Sequence, residues 1–286
     1  MASPITLYDI PGDVKGTAWS PNVWRIRCIY ASTCYHDTLW KLTETTRRRA
    51  RAQTRRYALN YKQLPYTTTW VEYPSIASTV QSIGAGPTST WPSGEPMYTL
   101  PAIVDPNSSP PRTALAGSLP IALYLDRAYP DTPRLIPEGT APLQAAFEAA
   151  FIKAVTPHMQ MLIMPVGRER LHNASKEFYK KARESEWGGK MGEWAPTGSE
   201  ARARDWEGLE KAMGVVKGWL EVDGQEGKFF MGDVPTFADM VVGARLMWMK
   251  TVLGEDSDEW KTVEKWHGGR WAQLLDDLQP YADVNV

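Results

Sequence analysis

Three short stretches hold residues whose types and spacing can do chemistry. In "WSPNVW", Ser20 precedes Pro21. That is a helix start, with serine as N-cap and proline at the first helical position, where its missing N–H costs nothing. In "MYTLPAIVD", residues 97–105, Pro101 interrupts a strand-like run. A residue that cannot donate to a ladder implies an edge strand or a special turn, and a cis bond is one way to accommodate it. In "GSLPIALYLDRAYP", Ser118 is the expected cap of a helix whose Ile121, Tyr124, Leu125 and Ala128 follow the i, i+3, i+4, i+7 rule. Unpaired N–H groups and the macrodipole at a helix start favour negative charge. Such a serine is therefore either a plain cap or an anion site.

A fourth stretch, "LTETTRRRARAQTRRY" at residues 42–57, packs six arginines into ten positions. The chain as a whole does not share this basicity. Its 286 residues carry a net charge of -1, with 43% hydrophobic and 23% charged residues, which argues against a general nucleic-acid binder. The two cysteines, Cys28 and Cys34, exclude a disulfide scaffold or a cysteine-rich zinc site. His36, His158, His172 and His267 have no ligand-like spacing, so no metal is expected. "MASPITLYDI" lacks a basic segment followed by an apolar run, and no stretch approaches the ~18 apolar residues of a membrane span. The expectation is a soluble, cytoplasmic protein.

The elements that must position these residues follow from pattern. "ITLYDIP" alternates and stops at Pro-Gly, and "YTTTWVEY", residues 66–73, is rich in threonine, aromatics and valine; both read as strands. Ile76, Val80 and Ile83 have helical spacing and end at Gly84. From Pro142 strand patterns disappear, and helices are predicted over roughly 142–163, 168–184, 199–222, 236–253 and 260–278. Thr236 with Asp239 three residues on resembles a capping box. The implied architecture is a small α/β domain followed by an all-α domain.

This order of elements, carried by "ITLYDIP", "WSPNVW", "YTLPAIVD", "GSLPIALYLDRAYP" and "FFMGDVPTFADMVV", resembles the cytosolic glutathione transferases. "LYDIPGDVKGTAWSPNVWRIR" with "YALNYKQLPYTTTWVEYPSI" is most similar to the fungal, serine-type transferases related to bacterial lignin β-etherases. The resemblance implies a thioredoxin-like, glutathione-binding domain over 1–133 and a helical domain over 140–286.

It also implies roles. Ser20 matches the catalytic serine, with Thr17 as the alternative if the loop is shifted. A hydroxyl donating to the glutathione sulfur near a helix start would favour thiolate over a thiol whose free pKa is about 8.5. Pro101 matches the family's cis-proline, and Leu100 would offer its backbone N–H and C=O to the cysteinyl part of glutathione. Ser118 matches the serine that binds the γ-glutamyl carboxylate. One residue earlier, many relatives have Asp or Glu for the γ-glutamyl amine, whereas this chain has Gly117. The absence of cysteine from the loop disfavours a mixed-disulfide mechanism. Trp19, Phe151 and Trp248 are candidates for an aromatic second-substrate pocket; core packing is the alternative, and it suits Trp248 on its apolar helix face at least as well. Glutathione is then a co-substrate, the other partner is a hydrophobic aromatic compound to be conjugated or cleaved, and a homodimer is possible within the family. The competing reading is a non-catalytic protein of the same fold that binds aromatic metabolites.

Against that frame the arginine run is an insertion. In the family the first helix runs directly into the second strand, and "SPNVWRIR" would join "YALNYKQLPY" if residues 28–56 were absent. The segment carries +5 and the rest of the chain -6. A basic appendage for RNA or nuclear import, an exposed helical hairpin, and a translated intron or gene-model error compete to explain it. The last fits best, because the insertion splits a core element instead of lengthening a surface loop. Unless the chain loops out and returns in register, the helix loses the face formed by Tyr57, Leu59 and Tyr61.

Overall fold

The computed structural model describes residues 3–26, 57–91, 93–108, 112–222, 224 and 227–279. Ile5–Asp9 (β1) alternates buried Ile5, Leu7 and Asp9 with half-buried Thr6 and Tyr8, the period of a strand with one face on a core. It pairs in parallel with Tyr66–Trp70 (β2), Ile5 opposite Tyr66. A parallel neighbour requires a crossover, and among the described residues of the crossover are two short helices, Pro21–Trp24 (α1) and Tyr57–Tyr61 (α2). On its other side β1 pairs antiparallel with Ala102–Asp105 (β5), which in turn pairs antiparallel with Thr113–Ala116 (β6). The sheet order is β2-β1-β5-β6. Ile76–Ser82 (α3) precedes a two-stranded ribbon of Ser89–Thr90 (β3) and Pro96–Met97 (β4), and Ser118–Ala128 (α4) follows β6.

The strand expected over 97–105 is two elements. Met97 belongs to the ribbon and β5 begins at Ala102, directly after Pro101, whose nitrogen has no hydrogen for the ladder. The Leu100–Pro101 peptide is cis.

α1 and α2 continue one another in space. The Leu59 N–H donates to the Ile26 carbonyl at 3.2 Å, and Ile26, Ala58 and Leu59 are fully buried. Residues 28–56, read from the sequence as an insertion, lie outside the described residues. On either side of them the chain resumes in register.

The second half is helical: Ala141–Glu169 (α5), Asn173–Trp187 (α6), Glu200–Leu220 (α7), Phe237–Leu253 (α8), Asp258–Lys265 (α9) and Arg270–Leu278 (α10). α8 is buried nearly all round, as expected of a central helix. It packs against α1, α5 and α10. Asp239 accepts from the Thr236 N–H at 2.8 Å and from the Phe230 N–H at 2.9 Å, the reach-back half of a capping box. The single helix predicted over 260–278 is broken at Trp266–Gly269, where His267, Gly268 and Gly269 take positive φ. Two adjacent glycines accept that backbone at little steric cost, so the helix ends there.

Candidate functional site

The loop from β1 to α1 is folded tightly. The Gly12 N–H donates to the Thr17 carbonyl at 2.9 Å, and the Asp13 N–H reaches the Arg170 carbonyl at the end of α5 at 2.6 Å. This brings Trp19 between two glycine backbones. A Cβ at Gly12 would meet the Trp19 Cβ at 2.8 Å, and one at Gly167 would meet its Cζ2 at 3.2 Å. A side chain at Gly12 would clash with Trp19, and one at Gly167 would crowd its ring. Trp19 then packs edge-on against Tyr73, Tyr179 and Trp248, with ring centroids 6.0, 5.5 and 6.1 Å away. Tyr73 is held there by the start of α6, since its N–H donates to Ser175 Oγ at 2.9 Å.

These aromatic residues border a cavity of about 660 Å³ between the sheet half and the helical half. That volume suits a drug-sized molecule. Ser20, Leu100, Trp19 and Trp248 all line it. Ser20 occupies the N-cap position of α1, with extended backbone and Pro21 following, as expected. Its hydroxyl makes no capping bond. The Oγ is thus left to the cavity. Neither the N–H nor the C=O of Leu100 hydrogen-bonds another described residue. Thr17 takes a positive φ and is not part of the lining.

The other expected residues lie elsewhere. Phe151 is fully buried and stacks on Phe147 at 6.4 Å, inside the helical core and away from the cavity lining. Ser118 is the first residue of α4, not its cap; the cap position belongs to Gly117, with φ 92° and ψ 136°. That conformation is reserved almost entirely for glycine, and the Gly117 N–H is held by the Pro101 carbonyl at 2.9 Å. An acid at this place would strain the turn. The Ser118 Oγ accepts from Arg25 Nη1 at 3.3 Å, which leaves its own O–H free to donate, and the same Arg25 pairs with Glu148. Neither Gly117 nor Ser118 borders the cavity.

Sequence reasoning missed the helical wall. On α6, Phe178, Tyr179, Ala182, Arg183 and Glu186 face the cavity, a stripe at helical spacing that the sequence carries but that reads equally well as core. On α8, Arg245 and Trp248 face it three residues apart. Burial pushes the Tyr73 and Tyr179 hydroxyls well above the usual tyrosine range, so both remain protonated donors at neutral pH.

Comparison with known proteins decides the family. Residues 50–128 match the family model for the glutathione S-transferase N-terminal domain, and residues 142–281 match the one for the C-terminal domain. The chain is 30% identical over 282 residues to the glutathione S-transferase-like protein ustS of Aspergillus flavus, covering 95% of this chain and 88% of that one. The chain belongs to the glutathione S-transferase family. Its backbone resembles that of the Ceriporiopsis subvermispora glutathione S-transferase CsGST63524, solved in complex with glutathione, at 40% identity and a TM-score of 0.82 over 97% of both chains. Glutathione transferase GSTFuA3 of Phanerochaete chrysosporium is similar at 35% identity and a TM-score of 0.82 over the full length of both. The fold is therefore the thioredoxin-like plus all-helical fold of the glutathione transferases. For a glutathione transferase, the cavity has a free hydroxyl and a free backbone edge on the sheet side, and aromatic walls on the helical side.

Proposed function

We propose that this glutathione transferase binds glutathione along Leu100 and uses the Ser20 hydroxyl to hold its sulfur as thiolate. The thiolate then attacks a hydrophobic aromatic compound lodged against Trp19 and Trp248. The observation that carries this reading is a single cavity in which the uncapped Ser20 hydroxyl and the unengaged Leu100 backbone face an aromatic wall. A hydroxyl hydrogen bond to an anionic sulfur is charge-assisted and favours thiolate over thiol. The product is either a thioether, with glutathione joined to the electrophilic carbon, or the same thioether with an aryloxide displaced. The 1–133 and 140–286 segments act as two domains, one for each substrate. The crystallised relative in complex with glutathione supports the co-substrate.

A binding-only role has one observation in its favour: Gly117 supplies no carboxylate. Calorimetric titration of glutathione, followed by thioether formation with an activated chloroarene, separates the two. Turnover that drops in Ser20→Ala supports catalysis. Turnover unchanged in Ser20→Ala sinks the serine assignment, and glutathione binding without turnover selects the binding role.

A further inference from the structure

The helical wall of the cavity holds a buried cation with no hydrogen-bond or ion-pair partner among the described residues. Arg245 is 93% buried (7% exposed), lines the cavity, and makes no hydrogen bond or ion pair with any described residue. The nearby carboxylate, Glu148, is already paired with Arg25, itself buried. Two guanidinium groups therefore share one carboxylate, and the cluster carries a net positive charge away from water. Burial and the neighbouring Arg25 both depress the Arg245 pKa, with Glu148 only partly offsetting them.

The polar atoms around Arg245 have the same bias. Four of the residues that line the cavity, Trp19, Trp187, Trp248 and Arg183, carry a buried side-chain N–H with no hydrogen-bond partner among the described residues. Among the buried, unpartnered side-chain atoms of the lining residues only Gln160 Oε1 is an acceptor. Arg183 has its own carboxylate, Glu186, and so is balanced in charge. Arg245 is not. Leaving a buried donor unmade costs more than a typical hydrogen bond contributes, and more again when the donor is charged.

We propose that Arg245 reads an anionic oxygen on the second substrate, so that the compounds this cavity takes are aromatic acids instead of neutral arenes. This deepens the reading of the second-substrate side and rests on it. The rings of Trp19, Tyr73, Tyr179 and Trp248 hold the aromatic body. Arg245, three residues before Trp248 on the same face of α8, meets the carboxylate or phenolate. The anion completes the charge balance that Glu148 leaves open.

The test is equilibrium binding by tryptophan fluorescence with matched probes: 2-naphthoate, 2-naphthol at a pH where it is neutral, and the uncharged 2-naphthamide. The wild-type chain is expected to bind 2-naphthoate roughly 10- to 100-fold more tightly than the amide, the range of one charge-assisted contact. Arg245→Met is expected to abolish that preference, with amide binding kept. Arg245→Lys is expected to keep part of it, since a point charge remains without the planar fork. Equal affinity for acid and amide in the wild type overturns the proposal. So does a preference that persists in Arg245→Met. Because the wild-type comparison needs no variant, a misfolded Arg245→Met leaves the proposal falsifiable. Each titration is run with and without glutathione. Loss of glutathione binding alone overturns the co-substrate reading and leaves the acid preference as a separate result.

Discussion

The N–H of Leu59 donates to the carbonyl of Ile26 at 3.2 Å. If Arg27 were bonded directly to Tyr57, Leu59 would be the fourth residue after Ile26, and this contact would be an ordinary α-helical hydrogen bond. The two halves of the first helix are thus in register across the interruption, so Ser20 keeps its scaffold.

Deletion of residues 28–56 should therefore yield a folded and more stable protein. Bringing together the ends of a segment of that length costs on the order of 3 kcal/mol in chain entropy, and the deletion removes that cost while keeping Ile26, Ala58 and Leu59 buried. A higher thermal midpoint with intact glutathione binding is the expected outcome. A shortened chain that fails to fold would show that the segment contributes to stability.

Ser20→Ala should act on the sulfur more than on affinity. Losing one hydrogen bond to a charged group, about 1.5–3 kcal/mol, raises the bound thiol pKa by about 1–2 units. The pH–rate profile should shift upward by that amount, with about a 10- to 100-fold loss near pH 6.5. An unshifted profile would assign thiol activation elsewhere.

The ion pair of Lys62 and Asp126 is buried on both sides, with Nζ 2.7 Å from Oδ1. Asp126 also accepts the N–H groups of Leu135 and Ile136 at 3.0 and 2.8 Å, tying the end of α2 to the segment that leads into the helical half. Asp126→Ala strands a buried ammonium and should cost about 3–5 kcal/mol in urea unfolding. The double variant Lys62→Met with Asp126→Leu should recover part of that loss. Additive losses would indicate that the pair is not coupled.

Gly117→Glu would restore the acid that many relatives carry at this position. With φ at 92° and ψ at 136° it should instead destabilise the fold, by about 1–3 kcal/mol. A variant as stable as the wild type would mean the turn readily adopts another conformation.

Burial pushes the Asp239 carboxyl up to about 6, above its ordinary value near 3.9. Between those values the folded chain holds a proton that the unfolded chain has released. The contribution is complete below pH ~4 and is lost as pH rises through about 6. The stability margin of the wild type over Asp239→Asn should thus widen by about 1 kcal/mol from pH 7 to pH 5. A margin that shrinks over that range would mean the three hydrogen bonds to the carboxylate outweigh its burial.

Ser20-Pro21 and the order of strands and helices were legible because they depend on neighbours in sequence: a proline's missing hydrogen, a capping position, a period of two or of 3.6 residues. The cis peptide at Pro101 was one of several options that the proline left open locally, and only the family resemblance singled it out. The end of the helix at His267 was missed, although "HGG" marks it, because the apolar spacing on both sides reads as one helix.

The sequence by itself determined the two-part architecture, and its family resemblance pointed to Ser20 and Leu100, both of which line the cavity. Only the tertiary structure decided which aromatic residues face the cavity: Trp19 and Trp248 do, whereas Phe151 turns to Phe147. It also decided that Arg25 takes both Ser118 and Glu148, leaving Arg245 without a hydrogen-bond or ion-pair partner among the described residues. An apolar or charged residue at helical spacing says that a face is buried. What that face meets depends on chain segments a hundred or more residues away, and only their packing assigns one carboxylate to one of two arginines.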